Sequence, residues 1–348
     1  MKICSNYFFD IFIVLIKKIV LVFLILLVQH SYAYPPQSEL FGLSNSMVQV
    51  WVTYKNGVTG TGSGVVIKEN HVATDCHVFA DSDGVNVVKF FKTYTPIALY
   101  ADWEKDLCIL KFDNLPLPPV NLGSSNNLEY EEKVFALTFP NDSPIPLPSY
   151  GKIKALYPFH KSNIIRTSAG FTVGSSGGAL FDLSFNLIGI TTFKSPGRRE
   201  DYYYCLPSNW IKELLQTKKQ FDLKSNAPPF WSLPENKKPF FMRIVLPMQN
   251  EDWPLMLKIA KLWTQFDEES ADAWYYLGFA QRRVSNLDSA KLFLKQAIKL
   301  NHMHLDSLVE LIEIAIKQKN KSEFNYLIQS ISKIDTNRAK FYSENITL

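Results

Sequence analysis

The stretch Gly174-Ser175-Ser176-Gly177-Gly178-Ala179-Leu180 sets a serine in a glycine-rich turn that runs straight into an apolar strand. A serine hydroxyl is a weak nucleophile at neutral pH, so it needs a base to take its proton and a buried acceptor to hold that base in one tautomer. Upstream, Gly62-Ser63-Gly64-Val65-Val66-Ile67 leads to Ala73-Thr74-Asp75-Cys76-His77-Val78, and Asp102-Trp103-Glu104-Lys105-Asp106 opens the apolar run Leu107-Cys108-Ile109-Leu110. Ser176, His77 and Asp106 supply nucleophile, base and acceptor. The backbone N–H groups of Gly174 and Ser176 can converge on a developing oxyanion, one such donor being worth about 3 kcal/mol in the transition state. Asp75 and Asp102 are rival acids, but Asp106 opens the apolar strand; His71 is a rival base that follows a turn and is expected to be exposed.

Around these blocks the texture is β. From Ser46 to about Pro207, apolar residues come in short runs of period two, as in Val48, Val50 and Val52, broken by turn signals such as Asn56-Gly57 and Asp83-Gly84. That spacing suits an antiparallel barrel or sandwich. Pro207-Ser208-Asn209 reads as a helix start that closes the region. Leu122 to Leu147 is polar and Pro-rich, a candidate gating loop.

The three ordered blocks resemble the chymotrypsin-like serine proteases and, within them, the bacterial HtrA (Deg) branch. Similarity runs through Leu187-Ile188-Gly189-Ile190 and Leu206-Pro207-Ser208-Asn209, over roughly residues 44 to 215. The resemblance implies two six-stranded antiparallel barrels with His77, Asp106 and Ser176 at their seam. It also places Gly170 at the base of the substrate side-chain pocket, with Ile190, Thr191 and Thr192 on its wall. No carboxylate stands at those positions to hold Arg or Lys, so cleavage after small or medium aliphatic residues is expected, with activity falling as pH drops through about 6 to 7. Ser175 stands where HtrA proteins usually carry Asn, and helical repeats follow where that branch normally has a PDZ domain.

Those repeats are visible beyond Pro254. Trp274, Leu277, Gly278, Ala290, Leu294 and Ala297 fall at the offsets of a tetratricopeptide repeat, and adding 34 gives the apolar set Leu308, Leu311, Ile312, Phe324, Ile328 and Ile331. So few units need a further helix, from Pro254 to Phe266, or the support of the β region. Residues 216 to 250 are rich in Lys, Asn and Pro and read as a linker or docking segment, with Phe240 to Leu246 as one strand. The expected organisation is a signal peptide over 1–33, a protease domain over 40–217, a linker over 218–250 and helical repeats over 251–340.

The signal peptide is expected because Lys17 and Lys18 precede ten apolar residues from Ile19 to Val28 and then Ser31-Tyr32-Ala33, which places cleavage after Ala33 and the mature chain in the periplasm or outside the cell. The run is about half of a bilayer span, so retention as a membrane anchor is the second reading. Three cysteines then remain, an odd number, each in an apolar stretch; free buried thiols are expected, with a Cys76 to Cys108 bridge as the alternative. The formal charge of +4 drops by 2 with Lys2, Lys17, Lys18 and Asp10, giving 4 − 2 = +2, which argues against nucleic acid. No cofactor is expected, and His302 and His304 lack companion ligands for a metal. The expected partners are polypeptide substrates, and proteins held by the repeats. The function expected is an exported serine endopeptidase acting through an acyl-enzyme; the alternative is a non-catalytic scaffold or holdase.

Overall fold

The computed structural model describes residues 35–54, 56–197, 201–218, 222–346 and 348. The expected leader over 1–33 and its cleavage point lie outside the described residues. Residues 40–348 form one compact unit. Among the described residues, no helix is long and apolar enough to cross a membrane.

Helix α1 (Gln37–Ser44) is followed by seven strands: β1 (Met47–Thr53), β2 (Thr59–Lys68), β3 (His71–Asp75), β4 (Gly84–Lys89), β5 (Lys92–Tyr94), β6 (Ala98–Asp102) and β7 (Leu107–Lys111). They form one antiparallel sheet in the order β5-β4-β1-β2-β3-β7-β6. The period-two run works as expected on β1, where Val48, Val50 and Val52 are buried and Trp51 and Thr53 point out. A second group holds β8 (Asn121–Leu122), β9 (Lys133–Thr138), β10 (Leu147–Phe159), β11 (Ser162–Thr167), β12 (Gly178–Asp182), β13 (Asn186–Ser195) and β14 (Tyr202–Pro207). Here β12 pairs with both β9 and β13, which closes a six-stranded ring, while β8 joins β13 in parallel. The architecture is a trypsin-like double barrel in which the second barrel closes with six strands and the first remains an open seven-stranded half-barrel. The segment from Leu122 to Leu147 is not one loop: it contains β9, whose Phe135 and Leu137 are core residues.

After α2 (Asn209–Leu214), the chain leaves the barrels through a segment that packs on the core and holds no strand among its described residues. It makes short 3-10 turns at Phe230–Ser232 and Glu235–Lys237, then helices α3 (Phe240–Arg243) and α4 (Val245–Gln249). Phe240 to Leu246 is therefore helical, because Phe241, Ile244 and Val245 meet the core from consecutive turns. Six longer helices follow: α5 (Trp253–Phe266), α6 (Ala271–Arg283), α7 (Leu287–Leu300), α8 (Leu305–Lys317), α9 (Lys321–Ser332) and α10 (Thr336–Asn345).

The period of 34 survives in the coordinates: α6 and α8 start at 271 and 305, α7 and α9 at 287 and 321, each pair 34 apart. Their caps repeat as well. Ser270, Asn286, His304 and Asn320 each accept the N–H three residues on, satisfying a donor that the first helical turn leaves open. His304 is thus a buried cap. At Gly278 an added Cβ would meet Leu294 Cγ at 2.8 Å, so the glycine sets the close crossing of α6 and α7. One continuous apolar cluster runs from Phe135 and Tyr204 in the closed barrel through Phe230, Phe241 and Trp263 to Tyr342, so the helices lean on the barrel.

Candidate active site

Antiparallel pairing of β3 with β7 puts Asp75 opposite Leu107 and so brings the ends of both strands together. His77 sits on the 3-10 turn Cys76–Val78 just after β3, and Asp106 on the turn just before β7. Asp106 holds φ at +62°, a left-handed conformation that Asp tolerates better than most residues. Its carboxylate is buried and faces this turn: Oδ1 accepts the backbone N–H of His77 at 2.8 Å, and Oδ2 lies 2.6 Å from His77 Nδ1. The Asp106 carbonyl accepts from Cys76 N at 3.0 Å. A Cys76–Cys108 disulfide locks the two strand ends, which corrects the expectation of free thiols there; among the described residues Cys205 stays free and buried.

The serine loop reaches this pair from the other barrel. Ser63, on β2, carries much of that junction: its N–H donates to the Ser176 carbonyl at 2.7 Å, its Oγ to the Gly174 carbonyl at 2.8 Å, and its carbonyl accepts from Thr74 Oγ1 at 2.7 Å. Gly177 has φ +85°, and a Cβ there would lie 2.1 Å from Thr74 Oγ1, so only glycine fits. Asp75 completes the link. It is fully buried, and its Oδ2 accepts from Gly177 N at 2.9 Å while Oδ1 accepts from Thr192 Oγ1 at 3.0 Å. The same carboxyl stands 4.0 Å from His77 Nδ1. The geometry therefore brings His77, Asp106 and Ser176 to one seam.

Ser176 Oγ donates to the Thr192 carbonyl at 3.1 Å. Among the described residues it makes no hydrogen bond to His77. The N–H groups of Gly174 and Ser176 have no protein acceptor among the described residues, while Ser175 N and Gly177 N are both engaged, with Thr172 and Thr191 carbonyls and, for Gly177, with Asp75. Ser175 is buried, and its Oγ donates to Thr138 Oγ1 at 3.0 Å.

Electrostatics follow from the packing. Burial works against charging His77, but the Asp106 carboxylate outweighs it and, with a contribution from Asp75, lifts the imidazole from 6.5 to about 9. The pH expectation of 6 to 7 is displaced accordingly. Burial, then the charge of Asp106, pushes the Asp75 carboxyl well above its ordinary range.

The pocket positions are mixed. Gly170 is half-buried, and an added Cβ would touch the Tyr203 ring at 3.4 Å. Ile190 is buried in the core with Leu137 and Ala179, and its side chain does not open on the site. Thr191 Oγ1 donates to the Ser175 carbonyl at 2.7 Å, so Thr191 and Thr192 brace the loops. Among residues the sequence did not single out, Tyr203 and Phe171 stand beside Gly170, with ring centroids 5.0 Å apart. His71, expected to be exposed, is buried on β3 with Nδ1 2.7 Å from the Glu69 carbonyl.

Trp231, from the segment after α2, also reaches the site. Its Nε1–H donates to Asp106 Oδ2 at 2.8 Å, and its ring meets His77 edge-on at 5.3 Å between centroids. The only sequence signal was an aromatic pair, Phe230-Trp231, set among prolines in a polar stretch.

Comparison with known proteins finds similarity over the barrels. Residues 62–190 match the family described as "Trypsin-like peptidase domain". A "Probable periplasmic serine endoprotease DegP-like" of Rickettsia conorii (strain ATCC VR-613 / Malish 7) is 30% identical over 171 residues, covering 46% of this chain and 34% of that protein. "Protease Do-like 1, chloroplastic" of Arabidopsis thaliana is 32% identical over 145 residues, covering 38% of this chain and 33% of its own length. The chain thus spans about a third of the length of the curated relatives it matches. Among solved structures, the Rv3671c protease from M. tuberculosis in its active form matches with TM-score 0.49 and 19% identity over 56% of this chain and 92% of that one. The HtrA-type protease AlgW with tripeptide matches with TM-score 0.46 and 26% identity over 52% and 63%. The β region is similar in sequence to HtrA-type serine proteases.

Proposed function

We propose that this chain is an exported serine endopeptidase that cleaves unfolded or partner proteins through an acyl-enzyme. What supports the proposal is the His77–Asp106 pair at 2.6 Å, with the Ser176 loop tied to the same strand ends through Ser63 and Asp75 and with two loop N–H groups that have no protein acceptor among the described residues. In this mechanism Ser176 turns about its Cα–Cβ bond from the Thr192 carbonyl toward His77. The imidazole takes the hydroxyl proton as the serine oxygen bonds to the scissile carbonyl carbon, and Asp106 stabilises the imidazolium. Gly174 and Ser176 N–H groups receive the oxyanion. His77 then returns the proton to the leaving amine, and water repeats the sequence to release the acyl group.

Gly170 under the Tyr203 ring supports an uncharged substrate pocket, hence cleavage after small or medium aliphatic residues. The disulfide supports an oxidising compartment, as do the leader pattern and the periplasmic relatives. We take the helices from α5 onward as tetratricopeptide-like repeats that bind protein partners, on the strength of their 34-residue period. The rest position of the Ser176 hydroxyl on Thr192 favours the second reading, a non-catalytic scaffold.

A fluorophosphonate probe separates the two. An enzyme is labelled at Ser176, and Ser176→Ala loses labelling together with on the order of 10³-fold or more in turnover. A wild-type chain that resists the probe contradicts the peptidase reading, as does a peptide library cut mainly after Lys or Arg for the pocket.

A further inference from the structure

We infer that Trp231 is a positioning residue for the peptidase chemistry, so that the segment following the barrels completes a site which the barrels alone leave unfinished; this rests on the peptidase reading above. Asp106 Oδ2 has two partners, His77 Nδ1 at 2.6 Å and the Trp231 indole N–H at 2.8 Å, while Oδ1 is taken by the His77 backbone N–H. The hydroxyl of Thr192, the residue whose carbonyl holds Ser176 Oγ, is spent on Asp75. The indole is thus the side-chain donor, other than the imidazole itself, that answers the Asp106 carboxylate among the described residues.

Trp231 is held there. Phe230 beside it is buried, its N–H donates to the Glu104 carbonyl at 2.9 Å, and its ring packs 4.7 Å from Phe159 and 5.8 Å from Phe193. The Trp231 ring itself stands against His77 on one side and Phe193, at 5.9 Å, on the other. Residues 230 and 231 lie outside the matched peptidase region, 62–190, so this contact is an addition from the C-terminal part of the chain.

The chemistry of the addition is specific. A carboxylate sharing its charge with a second donor holds the imidazolium proton less tightly than one with a bare lone pair. Removing the indole N–H while keeping an aromatic ring should raise the titration midpoint of His77 and leave less neutral base at pH 7 to 8. A hydrogen bond to a charged group carries enough energy for about one to two pH units in that midpoint, which is roughly a tenfold to hundredfold loss in rate.

The test uses the full chain with Trp231→Phe, which keeps the ring contacts. Two readouts are taken: the second-order rate of fluorophosphonate labelling, and the His77 midpoint by NMR of histidine ring carbons. The expected result is slower labelling with a raised midpoint and an unchanged thermal unfolding midpoint. Equal rate and equal midpoint overturn the proposal, and so does a lowered midpoint, which would mean the carboxylate had merely swung away. Should wild type resist the probe altogether, the peptidase reading fails, and the NMR midpoints still decide the role of the indole. A measurement on the unmutated protein guards against a variant that fails to fold. The Trp231 indole N–H resonance should titrate with the His77 midpoint, and a resonance indifferent to pH overturns the assignment.

Discussion

At the scale of single residues, the seam is governed by two buried carboxyls of opposite character. Asp106 faces His77 and accepts from its ring and backbone, whereas Asp75 faces the serine loop and accepts from Gly177 and Thr192. A base useful for catalysis must be neutral, and His77 is lifted to about 9. Its kcat/KM on a peptide substrate should therefore rise from pH 6.5 through an alkaline limb centred near 9. A stopped pH series in one buffer system checks this; a limb centred at 6.5 would contradict the packing argument. The linkage sign runs the other way for stability: the imidazolium contribution is complete below 6.5 and disappears as pH rises through about 9. The three candidate residues could be picked out of the sequence because each sits in its own short block. The displaced pH was not, since it depends on Asp106 and Asp75 closing around one imidazole, distances that no spacing encodes.

At the scale of elements, β3 and β7 do most of the positioning, and the Cys76–Cys108 bridge ties them 32 residues apart in sequence. Closing a loop of that length restricts the unfolded chain and is worth about 3 to 4 kcal/mol. The double variant Cys76→Ser, Cys108→Ser should lose about that much in denaturant unfolding, with slower probe labelling because both ends of the base–acceptor pair are loosened. Unchanged stability and labelling would contradict the pinning role. The sequence left this bridge open because buried thiols and bridged ones occupy the same apolar stretches. Element types fared unevenly for a related reason. The 34-residue period marked α6 to α9 plainly, since helix crossings such as Gly278 against Leu294 need small residues at fixed offsets. Phe240 to Leu246 offered only an apolar run, and its choice of helix over strand was made by tertiary contacts such as Phe241 stacked 4.3 Å from Tyr157.

Across the whole molecule, the helices are held to the closed barrel by a buried polar cluster. Arg166 on β11 donates to Tyr276 Oη at 3.3 Å and pairs with Asp306 at 3.5 Å, while Asp272 on α6 accepts from Tyr130 and Tyr157 on the barrel side. Burial opposes the charge on Asp272, but the His304 imidazole 3.9 Å away, the Arg166 charge and the Tyr130 hydroxyl outweigh it and hold the carboxyl below its ordinary 3.8. That contribution is full above 3.8 and is lost as pH falls further. Removing one partner of such a buried set typically costs about 3 to 5 kcal/mol. Asp272→Ala should lower the unfolding midpoint and open the junction near α3 to limited proteolysis, and wild type should show the same cleavage in acid. A variant as resistant as wild type would mean the apolar cluster suffices. Nothing in the sequence pairs Arg166 with positions 110 and 140 residues away.

The contact between Trp231 and Asp106 joins positions 125 apart, and Trp231 follows Ser176 by 231 − 176 = 55 residues. Synthesis delivers the barrels first. On the peptidase reading, a cutting centre whose finishing donor is made last works below its full rate while its own tail is still unfolded, so the order of synthesis would shield the enzyme from itself.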